Sequence, residues 1–194
     1  MKLISGNYYN KYESKNPIER LLVSGFEKNI FSLIDEIQPK NIFEIGCGEG
    51  YWLKALALRG INVGGFDLSD ECVKIAKQMS ISLNSNHLSE KNIEKYSAED
   101  FDYTSIKKAD LVLMLEVLEH TNHPTLILEK IASDLPANKT IIFSVPREPI
   151  WRLLNMLRFK YVADLGNTPG HFQHWSSESI TKLISKYFTV KKVY

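Results

Sequence analysis

The chain has 194 residues, of which 44% are apolar and 24% charged, and its formal net charge is +1. Such values are typical of one globular domain, and the near-neutral charge provides no electrostatic basis for binding nucleic acid. Its two cysteines, Cys47 and Cys72, lack metal-ligand spacing, so we predict reduced thiols and no metal site. The polar amino terminus and the absence of a long apolar run predict a cytoplasmic protein.

An amphipathic helix is predicted ahead of the first strand. It starts at Pro17 with Asn16 as its cap, and apolar residues recur at helical spacing up to Ile37. We expect residues 1–40 to form an N-terminal cap on the rest of the domain.

The body of the chain alternates between apolar strands and helices. Strands are predicted at 42–45, 62–66, 93–96, 110–115, 140–145 and 188–193, and helices at 51–59, 70–79, 124–135 and 176–187. This alternation predicts a doubly wound, mostly parallel α/β sheet. We expect one domain, 1–194, with a cofactor-binding core at 41–146, a lid or substrate insertion at 147–175, and a last helix and strand at 176–194.

A glycine-rich turn follows the first strand in the stretch NIFEIGCGEG, residues 41–50. Gly46, Gly48 and Gly50 alternate there, as expected where the backbone turns tightly and a ligand approaches it closely. A strand, a glycine turn and a helix start together form a nucleotide cradle. The spacing is G-x-G-x-G, and Tyr51 occupies the place of the third glycine of a dinucleotide fingerprint.

Two carboxylates favour a cationic nucleoside at this turn. Glu44 precedes the glycines, where it would repel a pyrophosphate and attract a cation. Asp67 ends the second predicted strand, where a carboxylate can accept hydrogen bonds from ribose hydroxyls.

Four motifs in order, EIGCGEG, GFDLS, SAEDF and LMLEVLEH, resemble the motif series of class I S-adenosylmethionine-dependent methyltransferases. They are most similar to the small-molecule branch that includes ubiquinone-biosynthesis-type enzymes, and the resemblance covers residues 41–146 closely. It implies a Rossmann-like methyltransferase fold and S-adenosylmethionine as cofactor. The family sheet usually finishes with an antiparallel hairpin, so we also expect the final strand to be missing from this chain.

The resemblance further implies the cofactor contacts. One group of residues would hold the methionine end, a second the ribose and adenine, and a third the floor of the site. Ser97 stands where the family often has Asp or Asn, and its hydroxyl can still bond the exocyclic amine of adenine. The implied contacts are Glu44, Gly46, Cys47, Gly48 and Gly50, then Asp67, Leu68, Ser97, Ala98 and Glu99, then Leu115 and Glu116.

Three histidines are candidate proton acceptors for methyl transfer. His120 ends the motif LEVLEH and can instead fix the loop after the fourth strand. His171 and His174 lie in the loop GNTPGHFQHWS, and each can instead be structural or substrate-binding. Two histidines without a third ligand make a weak metal site.

We expect the insertion at 147–175 to form the pocket that selects the methyl acceptor. Its residues 149–161 are basic and amphipathic, which indicates a lid helix packed on the domain. The alternative is peripheral membrane contact through the same residues, which would reach a lipid-linked substrate.

We therefore predict methyl transfer to a small molecule by in-line displacement, with O-methylation as the first hypothesis. Two alternatives stay open: a methyltransferase-like protein that binds the cofactor without catalysis, and an NAD-dependent oxidoreductase.

Overall fold

The computed structural model describes residues 16–147, 156 and 170–194. The strands are β1 (Asn41–Ile45), β2 (Asn62–Asp67), β3 (Ile93–Lys95), β4 (Leu111–Leu115) and β5 (Thr140–Ser144). The α-helices in the described part are α1 (Pro17–Ile37), α2 (Tyr51–Ala57), α3 (Asp70–Leu83), α4 (Pro124–Asp134) and α5 (Ser177–Ile184). The strands form one parallel sheet in the order β3-β2-β1-β4-β5, which confirms the predicted doubly wound α/β fold.

The described residues fall into two compact units. The first lies within Met1–Lys95 and Ala109–Leu111, and the second within Tyr96–Lys108 and Val112–Tyr194. None of the described helices combines the length and the apolar character that crossing a bilayer requires.

In the first unit, the pairing of β1 with β2 sets the position of the glycine turn. Asn41 lies opposite Asn62 and Ile45 opposite Phe66, so both strands end at the same edge. Gly65 lies opposite Glu44, and a Cβ on Gly65 would lie only 2.5 Å from the Glu44 carbonyl oxygen. The strands therefore approach each other closely because β2 has no side chain at that point.

Side chains cap the starts of two helices in the first unit, and the first of these caps, Asn16, is the predicted one. The Asn16 Oδ1 accepts a hydrogen bond from the Glu19 N–H at 3.4 Å, at the start of α1. The Ser69 Oγ accepts from the Cys72 N–H at 3.3 Å, at the start of α3. Both contacts satisfy N–H groups that have no partner within the helix itself.

Helix α3 is four residues longer than predicted. It continues through Ser80 and Ser82, whose hydroxyls donate to the carbonyls of Lys77 and Gln78, at 2.8 and 2.9 Å. A serine that bonds back to the preceding turn is compatible with a helix, and Asn84 then ends α3 in a left-handed conformation.

The second unit contains β4 from Val112 onward, and all of these strand residues are buried. A 3₁₀-helix, Tyr103–Lys108, packs beside α4, and an ion pair from Lys107 to Asp134 at 3.0 Å joins the two. Helix α5 starts with a capping box between Ser176 and Ser179.

The prediction of a strand at 188–193 is wrong, because the described residues there have no strand partner. Phe188 packs on Phe143 with ring centroids 5.5 Å apart, whereas Val193 and Tyr194 are exposed. An extended segment becomes a strand only through hydrogen bonds to a neighbour, and apolar spacing alone does not supply one.

Replacing Gly65 with alanine should destabilise the fold by about 2 to 3 kcal/mol, because the new methyl group would press on the β1 backbone. The measurement is the free energy of unfolding from urea denaturation.

The matched control is Gly25→Ala on α1, where a new Cβ would meet nothing within 4 Å. That change should instead stabilise the protein by about 0.5 to 1 kcal/mol, because alanine is the better helix former. Equal effects of the two substitutions would contradict the close approach at Gly65.

Candidate functional site

The glycine turn of the first unit needs glycine at its three alternate positions. Gly46, Gly48 and Gly50 have φ values of 74°, 53° and 85°, in the left-handed region that side chains disfavour. The N–H groups of Gly46 and Cys47 both donate to the Phe66 carbonyl at 2.9 Å, which ties the turn to β2. A Cβ on Gly48 would meet nothing within 4 Å, so the backbone there faces open space that a ligand can enter.

Glu44 places a buried carboxylate beneath this turn. Its side chain is 2% exposed, and its Oε2 has no hydrogen-bond partner among the described residues. Burial, and secondarily the charge of Asp67, raises the pKa of Glu44 well above its ordinary value. An isolated buried carboxylate is costly, so this position suits a cationic or hydrogen-bond-donating ligand.

Cys47 lies in the same turn as a buried, protonated thiol. Burial first, and then the charge of Glu44, raises the pKa of this thiol well above its ordinary value. A buried thiol of raised pKa is a poor nucleophile, so Cys47 can contribute its backbone to the turn without reacting.

Asp67 connects the end of β2 to the turn. Its Oδ2 accepts a hydrogen bond from the Gly48 N–H at 2.8 Å, and its Oδ1 accepts from the Ser69 N–H at 2.9 Å. The carboxylate is thus held at the carboxyl ends of β1 and β2, where the three glycines also lie. Leu68 follows it with a side chain that is 49% exposed.

In the second unit, residues Ser97 to Glu99 form a closed turn. The Ser97 Oγ donates to the Glu99 carboxylate at 2.7 Å, and the Glu99 N–H donates back to the same Oγ at 3.1 Å. The Ala98 carbonyl accepts from the buried Tyr103 hydroxyl at 2.8 Å. These contacts hold the turn that the motif SAEDF occupies in one conformation.

Glu116 adopts a strained backbone immediately after β4. Its φ is 56°, which costs a non-glycine residue on the order of 1 kcal/mol, and its N–H donates to the Ser144 carbonyl at 2.9 Å. Leu115, the last residue of β4, is buried. The strain directs the chain out of the sheet into the short 3₁₀-helix Leu118–His120.

A cluster of Glu119, His120 and His171 forms beside that 3₁₀-helix. One ligand-type atom from each of the three lies within 4.8 Å of the others. The rings of His120 and His171 meet edge to face with centroids 4.8 Å apart. A carboxylate and two imidazoles at this spacing can hold a divalent cation.

Backbone contacts fix the two sides of this cluster. The N–H groups of Phe172 and Gln173 donate to the Glu119 carbonyl at 2.8 and 3.1 Å. The His120 Nδ1 lies 2.9 Å from the Gly170 carbonyl, which can only accept, so Nδ1 carries the proton. The lone pair of His120 is therefore on Nε2.

The three predicted histidines are not equivalent. Burial, and secondarily His120, lowers the pKa of His171 to about 4, so His171 is neutral at pH 7 and a weak proton acceptor. His120 is exposed, and its ring bonds the neighbouring loop through the Gly170 carbonyl. His174 is exposed and outside the cluster.

The sequence did not predict Glu119 as a partner of these histidines. In LEVLEH, Glu119 is adjacent to His120, and this pairing is the signal that could have identified it. The position of His171 beside them depends on the chain return 50 residues later, which residue spacing does not reveal.

The ends of the predicted insertion lie side by side, because Arg147 and Trp175 form an isolated parallel bridge. The proposed lid helix at 149–161 lies outside the described residues, apart from Met156.

Several known proteins are similar to this chain. A family model described as a methyltransferase domain matches residues 19–187. The ubiquinone biosynthesis O-methyltransferase of Hydrogenovibrio crunogenus is 32% identical over 108 residues, covering 56% of this chain and 43% of that protein. The corresponding Nitrosomonas europaea protein is 27% identical over 137 residues, covering 70% and 57%. The chain thus spans about half the length of the curated relatives it matches.

Among solved structures, the chain has the same fold as magnesium protoporphyrin IX methyltransferase from Synechocystis PCC 6803 with bound SAH. The TM-score is 0.65 and the identity 20%, over 91% of this chain and 80% of that one. A protein from Pyrococcus horikoshii gives a TM-score of 0.69 at 17% identity, over 95% and 88%.

The carboxyl group of Glu44 should titrate above its ordinary value of 4.5 in the folded protein. Between 4.5 and the raised pKa, the folded state holds a proton that the unfolded state has lost. Glu44 should therefore reduce the free energy of unfolding as pH rises through this window. Carboxyl-resolved NMR titration measures the pKa, and urea denaturation measures the slope.

Two variants check the cause of this shift. Asp67→Asn should lower the pKa of Glu44 without abolishing the elevation, because burial is the larger cause. Glu44→Gln should remove its share of the pH slope. A pKa at or below 4.5 in the parent protein would contradict the buried-carboxylate interpretation.

Proposed function

The chain belongs to the methyltransferase-domain family, and on that premise we propose that it transfers a methyl group from S-adenosylmethionine to a hydroxyl of a small-molecule acceptor. This membership confirms the class I S-adenosylmethionine-dependent methyltransferase that the motifs predicted, and S-adenosylmethionine as its cofactor. It favours this class over the NAD-dependent oxidoreductase. The observation that supports a hydroxyl acceptor is the cluster of Glu119, His120 and His171.

The first-unit residues fit the methionine and ribose parts of this cofactor. S-adenosylmethionine supplies a methyl group on a cationic sulfur, together with an ammonium group. Glu44 offers a buried carboxylate oxygen without a partner among the described residues, and a cationic group would satisfy it. Gly48 leaves room for the ligand beside the turn, and Asp67 is held where its carboxylate can receive the ribose hydroxyls.

The remaining contacts follow the resemblance and are part of the same proposal. Ser97, Ala98 and Glu99 would contact the adenine, with Leu68 beside it, and Leu115 and Glu116 would line the floor. The rigid turn at 97–99 supports the adenine assignment, because a fixed turn presents its hydrogen-bonding groups in one direction. Residues 41–146 would then form the cofactor-binding core, and 147–175 the acceptor side.

At the acceptor side, the cluster would hold a divalent cation such as Zn²⁺ or Mn²⁺. The Gly170 carbonyl accepts the Nδ1 proton of His120, which leaves the lone pair on Nε2. In metal-bound histidines the ring nitrogen that does not bind the metal makes a hydrogen bond of this kind. A cation there would lower the pKa of an acceptor hydroxyl that it binds, which prepares the oxygen for attack on the methyl group. In this arrangement His120 and His171 are ligands rather than bases.

The relatives' names support oxygen as the accepting atom, since both are O-methyltransferases. The alternative is a protein that binds the cofactor but does not catalyse methyl transfer. Measurement of S-adenosylhomocysteine formation distinguishes it from an active methyltransferase. Contact of residues 149–161 with a membrane and the cytoplasmic location remain predictions.

Substituting Asp67 by alanine should weaken binding of S-adenosylhomocysteine at least tenfold, about 1.4 kcal/mol. The change removes both the proposed ribose contact and the bond that holds the Gly48 N–H. Isothermal titration calorimetry measures the affinity, and Asp35→Ala, which removes an exposed carboxylate paired with Arg59, is the charge-matched control. An unchanged affinity in Asp67→Ala would remove the ribose assignment.

Chelation should stop methyl transfer, and added Mn²⁺ or Zn²⁺ should restore it, if the cluster binds a cation. The measurement is S-adenosylhomocysteine formation with a panel of small hydroxyl, amine and carbon-acid acceptors. In His171→Ala the added cation should no longer restore activity, and direct calorimetric titration with Mn²⁺ should show lost binding.

Two other histidines make this test specific. His123 is exposed at the start of α4 without a side-chain capping bond, so His123→Ala should behave like the parent protein. His174→Ala should keep cation binding. If that variant alone loses activity while chelation has no effect, His174 is the base and the cation site is wrong. Cofactor binding without turnover for any acceptor would support the non-catalytic alternative.

A further inference from the structure

A cavity of about 640 Å³ lies at the amino ends of β1 and β2 in the first unit. It is bounded by the carboxyl end of α1 and by the turn that joins α2 to β2. Small-molecule sites span roughly 300–1,000 Å³, so the cavity has the size of a ligand site. The glycine turn lies at the other ends of the same strands, and strands of five or six residues are roughly 17–20 Å long. The cavity is therefore separate from the proposed cofactor site.

The lining of this cavity combines apolar residues with polar and charged ones. Ile34 and Pro39 are buried and Ile61 is half-buried, and together they form the apolar part. The polar members of the lining are Asp35, Gln38, Lys40, Arg59 and Asn62. A lining of this composition suits a ligand that joins a small apolar body to a polar or charged group.

Arg59 presents a guanidinium group that two neighbours already hold in place. Its Cζ lies 4.9 Å from the centroid of the Phe31 ring, and its Nη2 pairs with the carboxylate of Asp35. In the described part of the chain, Nε and Nη1 of Arg59 make no hydrogen bond, and the side chain is 37% exposed. A positioned guanidinium with donors to spare can bind a carboxylate or a phosphate through two parallel hydrogen bonds.

Lys40 gives the lining an excess of positive charge. Asp35 is its acidic residue, and Arg59 is already paired with that carboxylate. The Lys40 ammonium group has no ion-pair partner among the described residues. Its flexible stem allows the ammonium group to reach a ligand bound at Arg59, so the cavity favours an anion.

Backbone and amide bonds fix the wall of the cavity between Lys40 and Asn62. The Lys40 N–H donates to the Asp110 carboxylate at 3.1 Å, and the Asn62 N–H donates to the Lys40 carbonyl at 3.0 Å. The Asn62 side-chain amide donates to the Asn41 Oδ1 at 3.1 Å. A ligand would thus meet a wall that is already ordered, which reduces the entropic cost of binding.

We propose that this cavity is a second ligand site, and that it binds a small amphipathic oxyanion, a carboxylate or a phosphate carried on an apolar or aromatic group. The guanidinium group of Arg59 would bind two oxygens of the anion, and Lys40 would supply the second positive charge. The apolar body would pack on Ile34 and Pro39. The site is independent of the proposed methyl transfer.

The test titrates the ¹⁵N-labelled protein with benzoate and with phenyl phosphate and follows the backbone amides by NMR. Both anions should cause saturable shifts at Lys40, Gly60 and Ile61, and the stronger of the two identifies the preferred anion. Benzamidine, a cation of similar size, should cause none there. Saturating S-adenosylhomocysteine should leave the affinity for both anions unchanged, because the cofactor binds at the other ends of the strands.

Single substitutions assign the parts of the site. Arg59→Lys, which keeps the charge but loses the two parallel bonds, should weaken anion binding at least about fivefold. Lys40→Met should weaken it about two- to fivefold, whereas Lys28→Met, at an exposed lysine of α1 outside the cavity, should leave it unchanged. Asp35→Asn should instead tighten binding about two- to fivefold, because it removes the negative charge and releases Arg59.

The gain expected in Asp35→Asn is decisive, because a damaged fold cannot tighten binding. The proposal is overturned if neither anion gives saturable shifts at these amides, or if benzamidine binds there as well as the anions do. It is also overturned if Asp35→Asn fails to tighten binding, or if S-adenosylhomocysteine displaces the anions. None of these results bears on the cofactor assignment, which the affinity of S-adenosylhomocysteine tests separately.

Discussion

The hydrogen bond from the Gly48 N–H to the Asp67 carboxylate joins the turn after β1 to the end of β2. With the two N–H groups that share the Phe66 carbonyl, it holds the turn over the strand edge. The close approach at Gly65 makes these bonds possible, because any side chain there would press on Glu44. One constraint, the absence of a Cβ at this point of β2, thus positions both carboxylates that we assign to the cofactor.

The carboxylates of Glu44 and Asp67 interact electrostatically, and the charge of Asp67 raises the pKa of Glu44. Asp67 stays at the strand edge, where backbone N–H groups compensate its charge. Glu44 is fully enclosed, and the charge of Asp67 adds to the cost of ionising it. A cationic ligand would reduce both penalties together, so this pair favours a ligand that combines a positive charge with ribose hydroxyls. A dinucleotide, with its negative pyrophosphate, would increase them.

Sequence reasoning succeeded where local order determines structure. The strands β1, β2, β4 and β5 depend on apolar residues within a few positions of one another, and the structure confirms these strands within about one residue of their predicted ends. It failed where a side-chain hydrogen bond sets the end of a helix, or where a strand needs a partner from a distant segment. Ser80 and Ser82 bond back into α3, and residues 188–193 lack the partner that a strand needs.

The histidine cluster likewise combines a part that neighbouring residues determine with a part that a distant segment determines. His120 and Glu119 were visible as neighbours in LEVLEH, but their meaning changes when the chain returns and places His171 beside them. The segment at 170–173 is held there by backbone hydrogen bonds to the Glu119 carbonyl and by the bond from His120 to the Gly170 carbonyl. Backbone carbonyls are present at every residue, so the sequence does not identify these contacts. A lone histidine after a strand suggests a base. The same histidine with its Nδ1 proton bonded, a second imidazole and a carboxylate suggests a ligand, so the chemistry we assign to the acceptor side comes from the tertiary contact rather than from the motif.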